Sequence, residues 1–333
     1  MLARVAESIY WMSRYVERAE NVARFIEVNL NLMLDLPVGS AQQWQPLVAT
    51  TGDAAEFAKR YGTATQHNVI EFLTFDEKNV NSIHSCLRAA RENARSVREI
   101  ISSEMWEQLN EFYLRVNAAD DVGSRTDPQD LLRYVKRTAH LFAGVTDATM
   151  THNESWNFCR LGRMLERADK TSRILDVKSF LLLPTAADVG TTSDDIQWAA
   201  VLRSASAFEM YRKSHGRIAP ERVVEFLLLE KEFPRAIQYC LVRARASVHA
   251  ISGTPAGIFR HPVERLLGEL CSELAYARVE AIITAGLHEH LDRLQTKMNQ
   301  AGNGISETFF AARGAPPVRK KARGRTAAAP FVV

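Results

Sequence analysis

The chain carries one pattern twice, and this repetition constrains its fold more than any single motif. Val69, Glu71, Phe72, Leu73, Ile83, Cys86, Leu87, Ala90 and Arg91 return at one fixed offset as Val223, Glu225, Phe226, Leu227, Ile237, Cys240, Leu241, Ala244 and Arg245. The same offset carries Gln43, Trp44 and Gly62 onto Gln197, Trp198 and Gly216. Upstream, after a small change of length, Arg14-x-x-Glu17-Arg18-Ala19-Glu20-x-x-x-Arg24 reappears as Arg163-x-x-Glu166-Arg167-Ala168-Asp169-x-x-x-Arg173. A period this long exceeds that of solenoid repeats, so each copy is expected to be a whole helical unit. The expected halves are residues 1–150 and 151–312, followed by a basic tail at 313–333 that is expected to be disordered.

Apolar residues recur with helical spacing, and no stretch alternates with period two for long enough to make a sheet. The expected fold class is therefore all-α, an internally duplicated helical bundle whose two similar halves pack around a pseudo-twofold. Pro37 and Gly39 are read as ending the first long helix, and Pro184 its counterpart. Residues 120–130 read as a loop, with Asp127 capping a helix that starts at Pro128 and runs to about Met150. The second copy begins near Asn153. The Cys86-Leu87 helix is expected to continue through Glu92, Asn93, Arg95 and Arg98 to Glu99.

With 46% hydrophobic residues the chain can bury a large core without disulfides. Cys86, Cys159, Cys240 and Cys271 sit in apolar helical patterns, spaced too widely for a zinc cluster, which reads as buried thiols in a reducing compartment. The N-terminus places Arg4, Glu7 and Arg14 where a signal peptide needs an apolar run, and the longest aliphatic run, Phe180 to Leu183, is far short of a membrane span. A cytoplasmic location follows as the expectation. Net charge is +3, yet the tail alone contributes six basic residues and no acid, so the body is mildly acidic at −3. That balance argues against a nucleic-acid-binding body and leaves only the tail for such contacts.

On a helical wheel, Trp11, Met12, Tyr15, Ala19, Val22, Phe25 and Ile26 form one broad apolar face with Arg18 inside its arc. Arg14, Glu17, Asn21 and Arg24 line one margin. The second copy repeats this with Leu161, Met164, Ala168, Ile174 and Leu175 around Arg167, and with Arg163, Glu166 and Arg173 at the margin. A guanidinium stays charged, so one on an apolar face requires an acceptor. In the structural reading, the two Glu-Arg dipeptides meet as a four-member ion network that fixes how the halves dock. In the functional reading, the stripe is a cleft whose arginines (Arg14, Arg18, Arg24, Arg163, Arg167 and Arg173, with Arg91 and Arg245) hold an anion, while Glu17 or Glu166 serves as a general base. Glu71 and Glu225, each within Val-x-Glu-Phe-Leu, are the expected carboxylate partners, at least one of them contacting an arginine of its own half.

Several chemistries lack their motif. None of the nine histidines follows a glutamate by three positions, as a di-iron bundle requires. His288 and His290 diverge around a helix and read as surface residues, so no metal and no cofactor is expected. Neither a nucleotide-binding glycine loop nor a Gly-x-Ser-x-Gly elbow occurs. Trp11, Trp44, Trp106, Trp156 and Trp198 lack interleaved basic residues and read as core anchors.

The run from Leu2-Ala3-Arg4-Val5-Ala6-Glu7 through Tyr10-Trp11-Met12-Ser13-Arg14-Tyr15-Val16-Glu17-Arg18-Ala19-Glu20-Asn21 resembles the bacterial alpha-E family, an all-helical domain named for a Glu-Arg motif. Cys86-Leu87-Arg88-Ala89-Ala90-Arg91-Glu92-Asn93-Ala94-Arg95, followed by Glu104-Met105-Trp106, is similar to its second signature. Leu161-Gly162-Arg163-x-Leu165-Glu166-Arg167-Ala168-Asp169 is similar to its third. The likeness covers roughly residues 1–310. It implies protein partners, an ATP-grasp-type ligase and a transglutaminase-like protein, and with them a peptide or amide-bond modification system. The second half has Cys240-Leu241-Val242-Arg243-Ala244-Arg245 without a following Glu-Asn, which confines any ligand role of Glu92 and Asn93 to the first half. The leading expectation is an accessory protein docking the ligase or its peptide substrate through the Arg/Glu-rich helix faces. The alternatives are an enzyme for acyl or amide chemistry and a homo-oligomeric scaffold.

Overall fold

A computed structural model describes residues 1–35, 44–121, 127–180 and 192–311. Among these the chain forms fifteen α-helices and no strand. The first seven are α1 (Ala3–Asp35), α2 (Trp44–Thr51), α3 (Ala54–Tyr61), α4 (Gln66–Thr74), α5 (Ile83–Arg95), α6 (Ser103–Asp121) and α7 (Pro128–Thr149). The rest are α8 (Glu154–Phe180), α9 (Thr192–Ser204), α10 (Phe208–His215), α11 (Pro220–Leu229), α12 (Ile237–Ser252), α13 (Pro262–Ala275), α14 (Val279–Ala285) and α15 (Leu287–Ile305), closed by a π-turn at Ser306–Phe310. No described helix is long and apolar enough to cross a membrane.

Helix α1 lies against α8, and the other long helices enclose this pair. Helices α5, α7 and α9 cover α1, while α12, α15 and α2 cover α8. One continuous apolar core runs through both, from Ile9, Met12 and Ile26 on α1 to Leu161, Ala168 and Leu175 on α8 and on to Leu241 and Leu294. Trp44 at the start of α2 and Trp198 in the middle of α9 are buried anchors, whereas Trp11, Trp106 and Trp156 are only partly covered.

Local chemistry sets the helix ends. The Asp127 carboxylate accepts from the Gln129 N–H at 2.9 Å and Pro128 opens α7, as the sequence implies. Thr65 and Ser82 cap α4 and α5 through their hydroxyls. Three expectations need correction. Helix α5 stops at Arg95, where the Ser96 N–H turns back onto the Asn93 and Glu92 carbonyls, and residues 96–100 are turns. Asp120 and Asp121 close α6 and are not loop residues. His290 is buried at 7% exposure, because α15 turns that face onto the body. Pro37, Gly39 and Pro184 lie outside the described residues.

Candidate functional site

The margin stripe of α1 lies in the interior. Glu17, Glu20, Asn21 and Arg24 are 6%, 1%, 2% and 2% exposed, as buried as the apolar face beside them. A wheel treats one helix as having one buried side, but α1 is covered on nearly all sides, so its polar residues need partners from other helices. Four carboxylates supply the acceptors: Glu17, Glu20, Glu166 and Asp169.

Adjacent residues on a helix project about 100° apart and do not face one another. Each Glu-Arg dipeptide therefore reaches across to the other helix. Arg18 donates to both oxygens of Glu166, Nε to Oε1 at 2.7 Å and Nη2 to Oε2 at 3.0 Å. Arg167 donates in the same way to Glu17, at 2.8 and 2.9 Å. These two forked pairs are reciprocal, the Glu of each helix receiving the Arg of the other, in the geometry guanidinium and carboxylate prefer. The helices are close enough because α8 carries Gly162: a Cβ there would stand 2.4 Å from the Tyr10 carbonyl oxygen. Glu166 lies one turn beyond this contact.

Further cations gather around the pairs. Arg14 Nε donates to Glu166 Oε2 at 2.8 Å, and Lys170 Nζ lies 3.8 Å from Oε1. Arg235, at the base of α12, donates Nη1 to Glu17 Oε1 and Nη2 to Glu20 Oε2, both at 3.1 Å. Arg24 pairs with Glu20 one turn away and donates to the Ser204 carbonyl at 3.2 Å. Arg173 donates to Asp169 at 2.9 Å. The Arg18 fork is completed by Asn81, which accepts from Nη1 at 2.6 Å. At the surface end, His140 of α7 places Nε2 3.2 Å from Glu20 Oε1, beside a cleft of about 30 Å³ lined by Glu17, Glu20, His140, Arg163 and Arg167. That is room for about one water.

Electrostatics follow from this geometry. Burial alone pushes the Glu166 carboxyl up, but Arg18, Arg14 and Lys170 overcome it and hold it well below the ordinary carboxylate range. Glu17 is held low in the same way by Arg167 and Arg235. Around Arg24 and Arg235 positive charge accumulates: burial, then neighbouring guanidiniums, bring Arg235 down to about 10 and Arg24 well below its usual value. Partial burial and the same two arginines lower His140 to about 4. Burial drives the thiols of Cys86 and Cys240 up to about 12, so neither is a nucleophile at neutral pH.

The residues singled out from sequence divide. Arg14, Glu17, Arg18, Arg24, Glu166, Arg167 and Arg173 belong to this network, while Arg163 turns outward to Asp147, with Nη2 3.6 Å from its carboxylate. Arg91 does not join it: Nε donates to Asn110 at 2.7 Å and its guanidinium lies over Trp106 and Tyr113. Arg245 sits half-buried on the outer part of α12. Arg18 takes Glu166 and Asn81 as its acceptors. Glu225 approaches Arg222 of its own half at 3.9 Å, one turn away in a 45%-exposed position, because residue 225 lies on the outer flank of α11. Sequence reasoning missed Arg235, Glu20, Lys170 and His140 as members. Arg235 was detectable: the offset that matches the halves places it opposite Asn81, and both lie just before a Cys-Leu helix and contact the Glu-Arg network. No group of described His, Cys, Asp or Glu residues could hold a metal ion.

The chain is similar to "Uncharacterized protein Mb2597" of Mycobacterium bovis and to "Uncharacterized protein MT2643" of Mycobacterium tuberculosis, in each case 22% identical over 336 residues. "Uncharacterized protein Rv2567" of Mycobacterium tuberculosis is 21% identical over the same length. The matches cover 94% of this chain but only 37% of each relative, so the chain spans little more than a third of the curated proteins it matches. No solved structure matches it. The family model for Alpha-E, described as a predicted alpha-helical domain with a conserved ER motif, matches residues 1–310: the chain belongs to the Alpha-E family.

Proposed function

We propose that this chain is an accessory helical protein of a peptide or amide-bond modification system, working with an ATP-grasp-type ligase and a transglutaminase-like protein. The observation that carries the reading is the coverage of its relatives: 94% of this chain corresponds to only 37% of proteins that extend well beyond the matched region. A module joined to further segments in one protein is suited to pairing with separate partners in another. In this reading the Glu-Arg network is the internal clamp of a rigid body. Its guanidiniums are engaged by carboxylates inside the molecule, which moves docking of the ligase or its peptide substrate away from the Arg/Glu-rich faces of α1 and α8. We further propose that the two sequence copies are two similar halves around a pseudo-twofold, a reading supported by the exchange of Arg18–Glu166 and Arg167–Glu17.

The geometry weighs against Glu17 or Glu166 as a general base. A useful base has a pKa near the working pH and can reach a substrate proton. Both carboxyls are held far lower, and their oxygens are occupied by arginines. The test is affinity capture of the tagged chain from its host, combined with an ATP-dependent ligation assay on the captured ligase with and without this chain. The expected result is recovery of a ligase or transglutaminase-like protein and a ligation rate that depends on the chain. Recovery of neither, or ligation indifferent to the chain, overturns the reading.

A further inference from the structure

Outside the Glu-Arg network, unmatched positive charge is concentrated in a groove between α6 and α7. Its walls are Arg115, Arg133, Tyr134, Arg137 and Leu141, with Asp130 at one end, and it encloses about 690 Å³. The residues recur at 130, 133, 134, 137 and 141, the spacing of one helix face, so α7 presents them as a continuous stripe toward Arg115 of α6. Asp130 accepts from Arg133 at 2.9 Å, with both side chains more than half exposed. Among the described residues Arg115 and Arg137 have no carboxylate partner. Arg115 instead lies over the Tyr134 ring, 4.2 Å from its centroid, which fixes the plane of its guanidinium without neutralising it. Leu141, 53% exposed, adds an apolar surface at the far end, and Leu114, beside Arg115 in sequence, is 52% exposed.

We infer that this groove binds an acidic peptide segment of a partner protein, its Glu or Asp carboxylates held by Arg115 and Arg137 and an aliphatic side chain resting on Leu141. Guanidinium groups bind carboxylates through paired, directed hydrogen bonds, and Tyr134 preorganises one of them. An acidic peptide fits better than a nucleic acid on two counts. The body carries a net −3 once the tail is set aside, so it lacks the extended positive field that a phosphate backbone requires. Asp130 at the end of the groove can accept a peptide N–H, a donor that a sugar-phosphate backbone lacks. The inference deepens the accessory reading by naming a docking surface and the chemistry of what docks, and only its biological meaning rests on that reading.

The test uses the full chain and a fluorescein-labelled peptide of alternating Glu-Glu-Leu triplets. Its Gln-Gln-Leu counterpart and a single-stranded RNA of equal charge serve as comparisons. Fluorescence anisotropy is measured for the unsubstituted chain, for Arg115→Ala/Arg137→Ala, and for Arg319→Ala/Lys320→Ala/Lys321→Ala in the tail. The groove substitutions remove exposed side chains, and an unchanged melting temperature verifies the fold. The expected result is at least tenfold weaker acidic-peptide binding in the groove variant, little change in the tail variant, and weak binding of the Gln peptide. Equal binding of Glu and Gln peptides, loss only in the tail variant, or RNA binding tighter than peptide binding overturns the inference. These measurements contain no ligase, so a negative result here leaves ligase capture standing, and failed capture leaves peptide binding standing.

Discussion

Replacing Glu166 by glutamine tests whether the Glu-Arg network is a clamp. Glu166 is completely buried and serves Arg18 through a forked pair, Arg14 through a third hydrogen bond, and Lys170 at 3.8 Å. Glutamine keeps the size and removes the charge, leaving three cations around a neutral amide. Removing one partner of a buried ion pair costs about 3–5 kcal/mol, because the remaining charge stays desolvated. For a chain of 333 residues, an unfolding entropy of about 2.1 cal/mol/K per residue gives about 0.7 kcal/mol/K, so the melting temperature should fall by roughly 4–7 °C.

Calorimetry on Glu166→Gln, Arg18→Met and the double variant closes the cycle. If the pair acts as described, the double variant is less destabilised than the sum of the two single ones, by about 2 kcal/mol or more. Arg222→Ala, at the exposed pair with Glu225, provides the control and should stay within about 0.5 kcal/mol of the unsubstituted chain. A fall below 1 °C for Glu166→Gln, or additivity in the cycle, would refute the clamp.

Two further outcomes follow from the same contact. Gly162→Ala should destabilise by about 1–3 kcal/mol, since the new Cβ meets the Tyr10 backbone oxygen and forces α1 and α8 apart, whereas Gly144→Ala in α7, where a Cβ meets nothing within 4 Å, should gain up to about 1 kcal/mol in helix propensity; urea unfolding of both variants tests the contrast in sign. Stability should also fall on acidification in two stages. His140, lowered from 6.5 to about 4, leaves the unfolded chain binding more protons as pH drops below 6.5, and the lowered carboxyls of Glu17, Glu166 and Asp169 add a steeper loss below about 4.5, because the unfolded chain then takes up protons that the paired carboxylates do not. Melting temperature followed from pH 7 to pH 3 checks this, and His140→Asn should flatten the upper limb alone.

Helix type and the main helix starts were legible because they rest on local chemistry: the apolar period of α1, the Asp127 cap, Pro128 at the first turn of α7. The need of Arg18 and Arg167 for buried acceptors was also legible, since it follows from one charged residue inside an apolar arc. Which carboxylate met each was not. Glu71 and Glu225 were the nearest acids in an apolar context, but a helix such as α4 or α11 has an outer flank, and sequence spacing cannot say which neighbour covers which flank. Arg24 and Asn21 looked marginal for the same reason, because the enclosure of α1 by α5, α7, α8 and α9 is a tertiary fact.

The balance of charge in the network explains why the clamp is built from two helices and not one. Seven cations, Arg14, Arg18, Arg24, Arg167, Lys170, Arg173 and Arg235, contact four carboxylates. Such an assembly is costly to bury, and well-packed apolar residues would serve stability equally well or better. What charge adds is register. A forked Arg–Glu pair tolerates little sliding, and two such pairs of opposite sense, Arg18 to Glu166 and Arg167 to Glu17, both fail if α8 shifts along α1 by one turn, since each arginine then faces a different residue. An apolar seam allows that shift at much smaller cost. The Glu-Arg dipeptides thus select one alignment of the two central helices, on which α5, α7, α9, α12 and α15 pack directly.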